Sequence, residues 1–106
     1  MNPPEDGYFE AYWPRGPRRV HARPLARRLP TLDGKRIAFL WDYLFRGDVM
    51  FDIVERQLRE MHAGMSFFCW REAGNIHGSD ERERVAALPA RLKAAGVDAV
   101  IVAVAA

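Results

Sequence analysis

Apolar residues in the second two-thirds of the chain fall into three short runs that have the length and composition of buried strands. Each run is apolar on both faces, which is typical of parallel strands that are covered by helices on either side. The runs predict strands at Arg36–Trp41, Met65–Trp70 and Val97–Val104. We expect the last of them to be buried like the other two.

The segment after the first strand carries apolar residues at three- and four-residue spacing, which predicts an amphipathic helix. This helix is predicted from about Val49 to His62, with Asp48 as its N-cap. Six residues are predicted to form one buried stripe: Met50, Phe51, Ile53, Val54, Leu58 and Met61.

A second helix is predicted between the second and third strands. Ser79 or Asp80 is expected to cap it, since Asp80 and Glu83 have capping-box spacing, and Gly96 is expected to end it. Pro89 either kinks this helix or begins a new one. The predicted inner face consists of Val85, Leu88 and Leu92.

The order β-α-β-α-β, with connections of this length, favours right-handed crossovers and a parallel sheet. We therefore predict an α/β fold, namely half of a doubly wound parallel sheet. Residues 32–106 would form this incomplete α/β domain.

Residues 1–31 are predicted to form an extended N-terminal arm. They hold six of the seven prolines, which excludes a regular helix or a central strand. They also hold four aromatic residues that a solvated tail would not need: Tyr8, Phe9, Tyr12 and Trp13. We expect the arm to lie over this domain or over a partner, and a disordered tail is the alternative.

The net charge of +2 conceals an asymmetry. Six arginines against three acidic residues give residues 1–30 a charge of +3, whereas the remainder is −1. That slightly acidic remainder weighs against nucleic-acid binding. The single cysteine excludes an internal disulfide and favours the cytoplasm. No apolar run reaches the roughly 18–20 residues that a membrane span requires.

Polar side chains gather in the two loops that follow the first and second predicted strands, and both loops would open on the same edge of the sheet. A histidine carries protons near neutral pH, and an arginine presents a forked donor to a carboxylate or phosphate. We predict that His77 and Asp42 are catalytic, with His77 as the proton carrier and Asp42 as an orienting group. The residues predicted to bind a small, anionic substrate are Arg46, Tyr43 and Asn75.

Structural roles are open alternatives for several of these residues. Arg46 could pair with Asp42 or Asp48, and Asn75 could be an ordinary turn residue. Cys69, inside the second predicted strand, is expected to be a buried and inert thiol. The histidines and the cysteine lack metal-ligand spacing, so no metal site is predicted. Neither a G-x-G-x-x-G motif nor a Walker loop is present, so the cofactor stays unassigned.

Three segments together resemble the N-terminal half of the UGSC family, which is named after a selenocysteine/cysteine-Gly-Ser-Cys motif. They are residues 32–37 (LDGKRI), 40–51 (LWDYLFRGDVMF) and 74–82 (GNIHGSDER). The resemblance runs from about Leu25 to the end. Its W-D-Y-L-F-R-G-D stretch is fairly specific, because neither strand nor helix propensity dictates that order of residues.

The resemblance implies an α/β enzyme whose reactive cysteine or selenocysteine follows the third strand. The family is distantly similar to the selenoprotein B component of glycine reductase, which implies thiol or selenol chemistry. This sequence has Val102–Ala106 where the family's Cys-Gly-Ser-Cys loop would follow, and Cys69 does not match that position.

We therefore expect a small subunit of a heteromeric enzyme that is inactive alone. A partner chain would supply the Cys-Gly-Ser-Cys-type loop and the remaining strands, and this chain would line a composite site. Two alternatives stay open: a non-catalytic structural or regulatory subunit, and a truncated fragment of a longer enzyme. The substrate and the reaction are not assigned.

Overall fold

The structure, a computed structural model, describes residue 7 and residues 10–105 of the 106-residue chain. Its strands are β1 (Arg36–Trp41), β2 (Ser66–Phe68) and β3 (Ala99–Ala103). Its helices are α1 (Gly47–Met61), α2 (Trp70–Ala73) and α3 (Glu81–Ala94). Within the described ranges, no helix has both the length and the apolar character needed to cross a membrane.

The three strands form one parallel sheet in the order β2-β1-β3. The central strand β1 has the bounds predicted from the sequence, and its Ile37 lies opposite Phe67 on one side and Ala99 on the other. The predicted α/β fold with a parallel sheet is therefore confirmed.

Helices cover both faces of the sheet. On one face, Phe39 is 1 % exposed and packs with Phe51 of α1 and Phe67 of β2, with ring centroids 4.9 and 5.5 Å apart. On the other face, Ala38 and Leu40 pack in one cluster with residues of α2 and α3. Since burying one phenylalanine contributes about 1.5–3 kcal/mol, the small aromatic cluster is a substantial part of the core.

Helix α1 begins earlier than predicted. Arg46 is its N-cap residue, and Asp48, the predicted N-cap, lies in the first turn. Gly47 permits this start because it packs directly on the indole of Trp41, where a Cβ would lie 2.5 Å from Nε1.

The predicted buried stripe of α1 is only partly buried. Phe51 is buried, and two residues of the stripe, Val54 and Leu58, pack partly buried against the core. Three residues of the stripe are exposed: Met50, Ile53 and Met61. The sheet has three strands, and one of them is only three residues long. It therefore covers only part of the apolar face of α1.

The second apolar run changes structure midway, so the predicted strand Met65–Trp70 is too long. Strand β2 ends at Phe68, and Cys69 is the N-cap residue of α2. The expectation of a buried thiol within a strand is wrong, because Cys69 is partly exposed at the end of β2. An apolar run alone does not distinguish a strand from a buried helical turn.

Helix α3 begins after Asp80, which is the predicted cap position. The predicted capping box with Glu83 does not form, since Asp80 makes no capping hydrogen bond. Its carboxylate instead accepts a hydrogen bond from Nη2 of Arg84 at 2.7 Å.

Helix α3 continues through Pro89, so the alternative in which Pro89 begins a new helix is wrong, and the alternative of a kink stays a prediction. Of its predicted inner face, Leu88 is buried and Leu92 is partly buried, whereas Val85 is 46 % exposed. The helix therefore packs through a narrower face than its apolar spacing suggests.

Strand β3 is shorter than predicted and, contrary to expectation, largely exposed. It lies at the edge of the sheet, and three of its residues are 38–55 % exposed: Val100, Ile101 and Val102. The apolar composition of this run is that of a central strand, whereas its position in the described sheet is peripheral.

The N-terminal arm has neither helix nor strand at residues 10–30, and almost all of these residues are exposed. Tyr12 and Trp13 are 88 % and 76 % exposed, so these two rings do not pack on the domain. The other two aromatic residues of the prediction, Tyr8 and Phe9, lie outside the described residues.

Candidate functional site

A cavity of about 270 Å³ lies beyond the carboxyl ends of β1 and β3. In the strand order β2-β1-β3, the chain leaves β1 toward β2 on one side, and the next connection brings it back to β3 on the other side of β1. Such a topological switch point is where open α/β sheets bind ligands. The residues that line the cavity are Asp42, Ile76, His77, Glu81, Val104 and Ala105.

Asp42 is buried at the base of this region and joins two segments of backbone. It follows β1 directly and is 4 % exposed. Its Oδ1 accepts a hydrogen bond from the N–H of Leu44 at 3.2 Å, and its Oδ2 accepts one from the N–H of Ala105 at 2.8 Å. Since both bonds come from one buried side chain, Asp42 fixes the segment after β3 beside the loop after β1.

His77 lines the same cavity and has a carboxylate partner. Its Nδ1 lies 3.0 Å from Oε2 of Glu81, the first residue of α3, and its side chain is 60 % exposed. A carboxylate on one ring nitrogen orients the imidazole and leaves Nε2 for a second partner. The structure thus brings both predicted catalytic residues, Asp42 and His77, to one cavity.

Glu81 is a site residue that the sequence interpretation missed. The signal was the four-residue spacing from His77, which places two side chains on one side of a helical turn. His77 lies before α3 and Glu81 is its first residue, so helical spacing between the two could not be assumed from the sequence.

Asn75 shapes the loop that holds His77. Its Oδ1 accepts a hydrogen bond from the N–H of His77 at 2.9 Å. The next residue, Ile76, donates its N–H to the carbonyl of Trp41 at 3.2 Å, which extends the sheet by one bridge. Asn75 has the turn role that the sequence left open, and it does not line the cavity.

Arg46 and Tyr43 belong to the loop after β1 but do not line the cavity. The Arg46 side chain is 79 % exposed, and its Nε lies 3.3 Å from Oδ1 of Asp48. The pKa of Asp48 is lowered, chiefly by the backbone N–H of Val49 and further by Arg46. Of the two pairings considered for Arg46, the one with Asp48 is present.

Tyr43 lies in an aromatic cluster at the end of β1. Its φ of 64° is unusual for a residue with a side chain, and its ring centroid lies 4.5 Å from that of Trp41 and 5.6 Å from that of Trp70. The guanidinium of Arg71 lies 4.3 Å from the Trp70 ring centroid.

Cys69 lies apart from the Asp42 cavity, at the end of β2. Its Sγ accepts a hydrogen bond from Nη1 of Arg71 at 3.5 Å, and Arg71 also pairs with Asp52. Within the part of the chain that the structure describes, no three His, Cys, Asp or Glu side chains are grouped so that they could hold a metal ion.

Comparison with known proteins identifies a family to which the chain is similar. The sequence profile of the UGSC family matches residues 10–106, which is nearly the whole chain. No curated protein and no solved structure gives a significant match. With its parallel α/β sheet and the profile match over this length, the chain belongs to the UGSC family.

Proposed function

We propose that this chain is a small subunit of a heteromeric UGSC-type enzyme and supplies one wall of a thiol-dependent active site. The reactive thiol would come from a partner chain that carries the Cys-Gly-Ser-Cys-type loop. One observation supports this most: buried Asp42 holds the segment after β3 beside the cavity that His77 and Glu81 line. In the resemblance, that segment leads toward the reactive loop.

The proposed chemistry assigns a proton-transfer role to His77. A thiol on the partner chain gives its proton to Nε2 of His77, which leaves a thiolate nucleophile and an imidazolium. Glu81, 3.0 Å from the other ring nitrogen, stabilises that imidazolium. Cys69 has no part in this step, because it does not line the cavity.

The proposed substrate is a small molecule with an anionic group. Arg46 is the cation that supports this class. It lies outside the cavity, in the loop after β1, and among the described residues its exposed guanidinium pairs with the Asp48 carboxylate, which a substrate anion would replace. Tyr43 adds an exposed aromatic ring to the same loop. We also propose a cytoplasmic location, which the single cysteine supports.

The first test is affinity purification of the tagged chain from its source organism. The expected result is co-purification of a chain that contains a Cys-Gly-Ser-Cys or selenocysteine-Gly-Ser-Cys segment. Recovery of the tagged chain as a stable, soluble monomer without such a partner would overturn the proposal.

The second test measures how fast iodoacetamide alkylates the partner's thiol in the complex between about pH 5 and about pH 8, the range in which an ordinary histidine changes charge. His77→Ala should shift this pH profile, whereas His21→Ala in the arm should not. An unchanged profile in His77→Ala would favour the alternative, a non-catalytic structural or regulatory subunit.

A further inference from the structure

The outer edge of β3 lacks the features that protect an edge strand. One side of β3 pairs with β1, and no described strand lies along the other. The strand reads A-V-I-V-A, without the charged residue, proline or bulge by which edge strands avoid association. Val100, Ile101 and Val102 are 38–55 % exposed, so this edge is suited to a further strand.

Both faces of β3 are also open to a partner. The register sets Val102 opposite Leu40, on the α3 face, and Ile101 opposite Phe39, on the α1 face. Neither helix buries these two side chains. A partner that covers β3 must therefore add a strand beside it and pack apolar groups on both of its faces. This requires a folded protein rather than a short peptide.

A positive arm lies beside the amino end of β3. Residues 10–30 contain six arginines and one acidic residue, and none of these arginines forms an ion pair with another described residue. Arg27 and Arg28 line a groove of about 580 Å³ with Asp98 and Val100. The exposed edge and the positive arm are thus contiguous.

We propose that the edge of β3 and this arginine arm form one docking surface for a partner that adds a strand beside β3 and presents an acidic surface to the arm. The partner's identity as the chain with the reactive loop rests on the proposed function. A second copy of this chain is a poor match, since its residues outside the arm carry a net charge of only −1. Complementary charge sets specificity and the rate of association, so the arm selects an acidic partner.

The test is photo-crosslinking in the source organism, with p-benzoylphenylalanine in place of Val102. The matched control carries the same residue in place of Val85, an exposed apolar residue on α3. We expect an adduct to a second protein from position 102 and none from position 85. Mass spectrometry should locate the adduct in a strand segment of a protein with an acidic surface.

The contribution of the arm is tested in the same cells by Arg27→Glu combined with Arg28→Glu. We expect the yield of the adduct to fall about fivefold or more, because reversing charges at the rim of an interface slows association. Arg82→Glu, on α3, is the control and should leave the yield unchanged. An equal yield in all three proteins would overturn the role of the arm.

Each remaining outcome is decisive. No adduct, an adduct to a second copy, or an adduct that nuclease destroys would overturn the docking surface. An adduct to an acidic protein without the Cys-Gly-Ser-Cys-type loop would support the docking surface and overturn the proposed function. An adduct to a protein that carries the loop would support both.

Discussion

The carboxylate of Asp42 and the backbone N–H of Ala105, 63 residues apart in sequence, are joined by a 2.8 Å hydrogen bond. This bond ties the segments that follow two neighbouring parallel strands at the switch point of the sheet. The contacts of Asp42 fix the position of the backbone, and the proton-transfer role is the one proposed for His77.

Asp42→Ala should destabilise the protein by about 2–3 kcal/mol, because it removes a buried acceptor from two backbone N–H groups. Urea unfolding measures the loss, and amide hydrogen exchange at Ala105 should accelerate. Asp52→Ala is the control, since its carboxylate is about half exposed and pairs only loosely with Arg71 at 3.5 Å. Equal losses in the two variants would contradict the buried role of Asp42.

Gly47→Ala should destabilise the protein by about 1–3 kcal/mol, the range for overpacking a filled site. The added Cβ would lie 2.5–2.7 Å from three atoms of the Trp41 indole. Thermal unfolding followed by tryptophan fluorescence measures the effect. Gly16→Ala serves as the control, because nothing lies within 4 Å of a Cβ at that position. A variant as stable as the wild type would show that α1 does not start against Trp41.

Asp80→Asn should change the pH dependence of stability. The hydrogen bond from Arg84 lowers the pKa of Asp80 in the folded protein, so its contribution is present above the unfolded pKa of about 3.9 and disappears as the pH falls through the folded value. The difference in melting temperature between wild type and variant should therefore be present at neutral pH and close as the pH falls through the lowered pKa of folded Asp80. Glu83→Gln is the control, and a constant difference for Asp80→Asn would refute the pairing.

Arg91→Ala should cost about 1.5–3 kcal/mol, the range for hydrogen bonds to charged groups. The guanidinium of Arg91 donates to the carbonyls of Glu72 and Ala73, the last two residues of α2, and so holds α2 against α3. Chemical denaturation measures the loss, with Lys93→Ala as an exposed control. A loss no larger than that of the control would mean that α2 is held by its other contacts, which include the hydrogen bond from Arg84 to the carbonyl of Ala73.

The bounds of the central strand could be predicted from the sequence, whereas the burial of the edge strand β3 and of helix α1 could not. Strand β1 was predicted to the residue, because a buried run between a turn and a polar loop leaves little freedom in its bounds. Burial in β3 and on α1 was predicted wrongly, since an apolar pattern shows which residues favour burial but not how wide the covering sheet is.

Two residues that line the cavity could be predicted from the sequence, but their contacts could not. Topology placed the loops after β1 and β2 at one edge, so Asp42 and His77 were accessible to a pattern argument. The partner of His77 could not be predicted, because its pairing with Glu81 depends on where α3 begins. At the change from strand to helix after Cys69, Trp70 packs edge-on against Trp41, a tertiary contact that the local sequence does not show.

The position of β1 has a consequence for biosynthesis. β1 is made first, yet its partners lie 30 residues later, where Ser66 pairs with Arg36, and 62 residues later, where Ala99 pairs with Ile37. At ribosomal rates of about 5–20 residues per second, the most buried strand of the sheet stays uncovered for several seconds on the emerging chain. The nascent protein therefore exposes an apolar strand to chaperones before the sheet that buries this strand is complete.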